Sequence, residues 1–129
     1  MTPSRRPEGR TSPSQIRLFL ALETAIFAIA ALIHLEVLFD GYRDPSAAIA
    51  ESVIGVVLLL GLVVSGLSPA WTRRIGLMVQ GFALLGTLVG LTLLLTVGPT
   101  TGLDLGIHLV MLIVLVLGLV ITLRREPLT

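Results

Sequence analysis

Apolar residues along this chain gather into four long runs, about Ile16 to Phe39, Ala47 to Ser65, Ile75 to Val97 and Leu103 to Leu123. Each run reaches or approaches the ~20 residues that a helix needs to cross ~30 Å of hydrocarbon. An isolated strand in lipid would leave its backbone groups unpaired, so the pattern predicts helices. The boundaries carry matching signals. Ser12-Pro13, Asp44-Pro45 and Ser68-Pro69 each set a capping side chain before a proline at the first helical position. Ser12 with Gln15, and Thr101 with Asp104, have capping-box spacing. Gly41, Gly66 and Gly98 stand where helix C-caps are expected. The predicted helices cover about residues 13–40, 45–66, 69–97 and 102–124, inside one domain of residues 13–125 that follows a basic tail, residues 1–12, expected to be disordered. Short connections make consecutive helices antiparallel neighbours. The predicted fold class is therefore all-α, an antiparallel four-helix transmembrane bundle.

Composition sharpens this picture. The chain is 54% hydrophobic and 13% charged, against ~25% charged in ordinary soluble domains, so lipid is the expected partner over most of its surface. The formal charge of +1 gives no reason to expect nucleic acid. Cysteine is absent, which excludes disulfides, thiolate metal sites and thiol redox chemistry. All nine basic residues are arginines, and their placement sets an orientation. Arg5, Arg6, Arg10 and Arg17, then Arg73 and Arg74, then Arg124 and Arg125 fall on one side of an even-numbered bundle, and Arg43 alone falls on the other. The positive-inside rule puts both termini in the cytoplasm of a bacterial-type inner membrane, with the chain multi-pass. Tyr42 and Trp71 stand at opposite interfaces, as belt aromatics do. The first run continues well past the loosely A-x-A-like Ala28-Ile29-Ala30, so it is expected to be a retained span and not a cleaved leader.

Few polar residues interrupt the runs, and their depths coincide. At 1.5 Å per residue, His34 lies about 9 Å inside the predicted end of the first helix, and Glu51 and His108 lie about 10 Å past the starts of the second and fourth. Three ionisable side chains from three helices thus share one depth in the outer leaflet. Glu23, Phe27, Ala30 and His34 form one helical stripe; Glu51, Gly55, Leu58 and Leu62 form a second; His108, Met111, Leu115, Gly118 and Thr122 form a third. Polar side chains at membrane depth face the bundle interior or a wet cavity, so the stripes are expected to converge. Glu36 would lie about 200° around the helix from His34 and reach the interface or meet Arg43. Nearer the cytoplasm, Glu23 and Gln80 share a second depth, and an amide donating to the acid would offset part of its cost in lipid.

Two imidazoles and a carboxylate form a ligand set suited to zinc, copper or iron, and two histidines on different helices could clamp one haem b. A quinone headgroup or a proton relay would use the same residues. Against these stands a plainer reading, in which the histidines only hydrogen-bond neighbouring helices. No nucleophile motif, P-loop or His-x-x-x-His pair is present, so an independent enzyme is not expected. Two function classes follow: a small binding or redox-accessory subunit with a site at His34, Glu51 and His108, or a small oligomeric proton-coupled transporter that uses Glu23 as a further station. Either could sit in a larger membrane complex or a homo-oligomer.

The stretch Ala50 to Leu62, AESVIGVVLLLGL, resembles the second helix of DoxX-like membrane proteins, where an acid opens a glycine-punctuated, leucine-rich helix. The four-span layout is similar too. The first helix departs from that family's arginine–glycine pattern, with Glu23 and His34 in its place. The resemblance implies a small membrane subunit, in some members linked to quinone oxidation, and it carries over only Glu51 as a site residue.

Overall fold

The computed structural model describes residues 11–124. The tail expected to be disordered lies almost wholly outside these residues, as does Arg125. Within them the chain is all-helical: α1 spans Pro13–His34, α2 Pro45–Leu67, α3 Thr72–Val97 and α4 Gly102–Leu123, with a single 3-10 turn at Pro69–Trp71 leading into α3. All four long segments are long and apolar enough to cross a membrane, which makes the chain compatible with a multi-pass integral membrane protein.

Local chemistry starts the helices where the sequence marks them. The Ser12 hydroxyl accepts from Gln15 N and the Gln15 side chain accepts from Ser12 N, closing a reciprocal cap ahead of Pro13. Asp44 accepts from Ala47 N ahead of Pro45. Each such cap contributes ~1 kcal/mol by satisfying an orphan N–H. Thr101 caps α4 by accepting from Asp104 N, but its partner differs from the expected box: the Asp104 carboxylate accepts from the Thr101 hydroxyl instead of reaching back to the backbone. Ser68 caps nothing with its side chain, because the 3-10 turn intervenes.

The helix ends differ more. The first helix was expected to run to about residue 40, and it stops at His34. The backbone closes there by Val37 N donating to Leu32 O and Glu36 N to Ile33 O, each at 3.0 Å. This crossed pair requires a left-handed residue between the helix and its exit, and Glu36 takes that role with φ 57°. Asp44 N then donates to His34 O, so residues 35–44 form a loop pinned at both ends. Hydropathy could not reveal this stop, because Leu35, Val37, Leu38 and Phe39 are as apolar as the helix before them. All four are exposed. Of the three expected glycine caps, Gly98 does end α3, but in an extended conformation. Gly66 is still inside α2, and Gly41, at φ 90°, is a turn within the loop.

The core draws on every helix. Ile16, Leu20 and Phe27 from α1, Leu58 from α2, Ala83 from α3 and Met111 and Leu115 from α4 form one buried cluster. Large aliphatic side chains such as Leu60, Leu85, Val89 and Ile113 remain exposed around it. A monomeric soluble protein rarely shows such a continuous apolar exterior; hydrocarbon solvent explains it.

Candidate functional site

His34, the last residue of α1, is held from two sides. Its Nδ1 lies 2.8 Å from Glu51 Oε2 on α2, and its Nε2 lies 3.1 Å from Asp104 Oδ1 on α4. The ring is 3% exposed and Glu51 5%, so the Glu51 contact is closed to solvent, while the Asp104 contact is only partly buried. Thr101 fixes the far oxygen of Asp104 by donating to Oδ2 at 2.6 Å. Three helices are thereby joined through one imidazole.

The proton inventory of this triad follows from the geometry. A neutral imidazole carries one N–H, while ionised carboxylates only accept. With the histidine neutral and both acids ionised, one of the two short contacts would set a nitrogen lone pair against an anionic oxygen. Both contacts are hydrogen bonds only when the triad holds a second proton, on the ring or on one acid. The bridge is therefore a structure that forms with a proton and loses one arm without it.

The structure thus brings His34 and Glu51 together, although α1 ends at His34 and not six residues later as the depth count assumed, and the third partner is Asp104 and not His108. His108 Nδ1 lies 2.9 Å from the backbone oxygen of Asp104, one turn earlier on its own helix. A carbonyl only accepts, so this nitrogen carries a ring proton, while Nε2 makes no hydrogen bond among the described residues. That atom faces Gly90 on α3, where an added Cβ would stand 3.3 Å from it. Sequence reasoning assigned Asp104 to the cap of α4 and missed its carboxylate. The signal was present, since Asp104 and His108 are one helical turn apart and so share a face.

This arrangement does not fit the metal and haem expectations. Both nitrogens of His34 are engaged by carboxylates, leaving no lone pair for an iron or zinc ion. Among the described residues, no group of three or more His, Asp or Glu side chains is placed to hold a metal. Between α1 and α4 lies a largely apolar cavity of about 420 Å³, lined by residues such as Ile26, Ile33, Leu103 and Ile107.

A second polar tier lies toward the other end of α1. Gln80 Nε2 donates to Glu23 Oε1 at 2.9 Å and Oε2 at 3.2 Å, and Gln80 Oε1 accepts from Thr122 at 2.9 Å. The three residues come from α1, α3 and α4, and each is 1% exposed or less. Thr122 was not anticipated as a partner. Glu36, expected to reach the interface or Arg43, instead turns back to accept from Gly41 N at 2.9 Å, inside the loop.

The arginines read from sequence as orientation signals have structural partners as well. Arg17 Nη2 donates to Ser65 O near the end of α2, at 2.8 Å. Arg73 Nε and Nη2 donate to Thr122 O and Leu123 O at the end of α4. Terminal carbonyls lack intrahelical partners and carry the negative end of the helix dipole, so a cation there stabilises by ~0.3–1 kcal/mol. Arg74 instead lies over the Trp71 ring, 5.1 Å from its centre.

Comparison of the chain with models of known families, with curated proteins and with solved structures finds no match.

Proposed function

We propose that this chain is a four-pass protein of a bacterial-type inner membrane, an antiparallel bundle with both termini cytoplasmic, that binds and releases a proton at its outer-leaflet end. In this reading it is a small accessory or binding subunit and not an enzyme. The observation that carries it is the imidazole of His34 bridging Glu51 and Asp104. A helix-packing bond needs one donor and one acceptor; here two acids meet on one ring, a placement that couples the α1–α2 and α1–α4 contacts to a single protonation event. Antiparallel packing is supported by Arg17, at the start of α1, meeting Ser65 near the end of α2, while His34, at the end of α1, meets Glu51 early in α2. The DoxX-like resemblance carries over Glu51, one arm of this bridge, as a site residue.

A second reading, a proton-coupled transporter, is favoured by the buried Glu23–Gln80–Thr122 tier. Glu23 and His34 are eleven residues apart on α1, about 16 Å at 1.5 Å per residue. Phe27, Leu58, Met111 and Leu115 fill the layer between. A proton crosses such a dry layer only if the bundle opens, so transport requires a second conformation, whereas outer-end binding does not.

The test is imidazole NMR on isotope-labelled full-length protein in lipid nanodiscs. With two histidines in the chain, the spectrum holds two rings. His34 is expected to show protons shared at both nitrogens, and to revert to a single N–H in Glu51→Gln. A wild-type His34 with one N–H and one free lone pair throughout would sink the proposal.

A further inference from the structure

Positive charge collects at the end of the bundle opposite His34. Arg17 in the first turns of α1, Arg73 and Arg74 at the start of α3, and Arg124 after α4 all stand there. Among the described residues no acid accompanies them. The nearest on α1, Glu23, lies six residues deeper, where it is buried against Gln80. Glu36, Asp40, Asp44, Glu51 and Asp104 belong to the other end. By sequence the flanking segments do not reverse the balance, since they add Arg5, Arg6, Arg10 and Arg125 against Glu8 and Glu126.

Two of these cations are held in place without being neutralised. Gly76 of α3 leaves room for Ile16 of α1 and Thr122 of α4, whose Cγ2 atoms would stand 2.9 Å and 3.2 Å from a Cβ there. The start of α1 and the end of α4 therefore meet α3 near its first turn. Arg17 Nη2 donates to Ser65 O, an atom that also accepts from the Thr72 hydroxyl. Arg73 donates to Thr122 O and Leu123 O. A carbonyl orients a guanidinium but carries no net charge to cancel it. Each guanidinium has five N–H donors, so both residues keep donors to spare. Arg17 Nε finds no acceptor, and among the described residues one carbonyl is all that bonds this side chain. Both arginines remain half-buried. Their rotamer freedom is already lost on folding, so an anion that binds them does not have to order them.

We infer that this end of the bundle is a binding site for an anionic phospholipid, whose phosphate is taken by Arg17 and Arg73. Guanidinium forks match phosphate oxygens in both geometry and charge. The surroundings favour a lipid over a free anion. Leu18, Leu67, Trp71 and Leu123 are exposed beside the arginines, an apolar surface on which acyl chains lie. A zwitterionic headgroup would bring an ammonium to a cationic site, so a headgroup with net negative charge is the better match. The site stands apart from the proton bridge and does not depend on it.

The chain carries its own probe, because Trp71 is the sole tryptophan and lies at this end under Arg74. Full-length protein is reconstituted into vesicles of mixed phosphatidylglycerol and phosphatidylcholine, with brominated chains on one lipid or the other. Quenching of Trp71 then gives the relative affinity of the two lipids. Phosphatidylglycerol should be preferred, by about fivefold for each arginine engaged, the ratio that ~1 kcal/mol represents. Arg17→Gln and Arg73→Gln should each remove about that factor, and Arg43→Gln, at the other end, should remove none. Equal affinities in the wild type overturn the inference, whatever the variants do. A wild-type preference that survives both substitutions also overturns it, since the attraction would then be diffuse. If one variant does not fold, the other decides by the same criterion. Inorganic phosphate is added against chloride at matched ionic strength. A preference that persists supports the lipid, and one abolished by phosphate alone shows a site for free anions instead.

Discussion

Gly118 of α4 is pressed against the carboxylate of Glu23: a Cβ added at Gly118 would overlap Glu23 Oε1 and stand 2.6 Å from Gln80 Nε2. The absence of a side chain on one helix thus lets an acid and an amide from two others meet in the core. Gly118→Ala should force that pair apart and destabilise the protein by ~1–3 kcal/mol, the usual penalty of overpacking. Gly106→Ala, where the new methyl meets nothing, is the control. Thermal melts of both variants in the same detergent check the contrast, and equal midpoints would contradict it.

Glu23→Gln and Gln80→Leu should behave oppositely. The first keeps an acceptor for Gln80 and removes the buried carboxyl, so stability should be unchanged or higher. The second strands the acid in the core; polar contacts of this kind average ~0.6 kcal/mol and reach ~1.7 in membrane bundles, and the unpartnered group adds its own desolvation cost. A double-mutant cycle by steric trapping would report a coupling near zero if the contact is idle.

Adjacent arginines should also separate. Arg73→Ala removes two hydrogen bonds to the last carbonyls of α4 and is expected to cost ~1 kcal/mol or more. Arg74→Ala loses an exposed contact over Trp71, worth ~0.5–1 kcal/mol. Unfolding measurements on both variants give the order, and a larger loss for Arg74→Ala would contradict the capping role.

At Glu36 two effects oppose each other. The left-handed backbone favours glycine by ~1 kcal/mol, while the side chain accepts from Gly41 N. Glu36→Gly should therefore be nearly neutral, and Glu36→Ala, which keeps the strain and loses the bond, should be destabilised by ~1 kcal/mol. Melting of Glu36→Ala at the wild-type midpoint would show that the loop hydrogen bond contributes nothing, and equal midpoints for the two variants would show the same of the backbone strain.

Orientation is tested by fusions. A periplasm-active reporter should work after Asp44 and Thr100 and fail after Trp71 and Thr129, as the arginine distribution requires. The reverse pattern would invert the proton site, placing it on the cytoplasmic side.

The four helices, three of their starts and the shared depth of Glu23 and Gln80 were legible in the sequence because each depends on neighbours a few residues away or on one-dimensional distance. Ser12 and Asp44 cap within three residues of themselves, and apolar length alone suffices to mark a span. Gln80 could be matched to Glu23 by counting from the arginines, since rise per residue converts number into depth. Helix rotation and the fate of individual ring atoms have no such local signature. Only the tertiary structure decided that α1 stops at His34, because a single left-handed residue ends it inside an unbroken apolar run. The same holds for Asp104 displacing His108 from the bridge. His108 turns to the carbonyl of its own helix, while Asp104, one turn nearer the end, reaches the ring across the helix interface. Sequence sets which groups lie at a depth; which of them touch is set by how four helices rotate to fill one core.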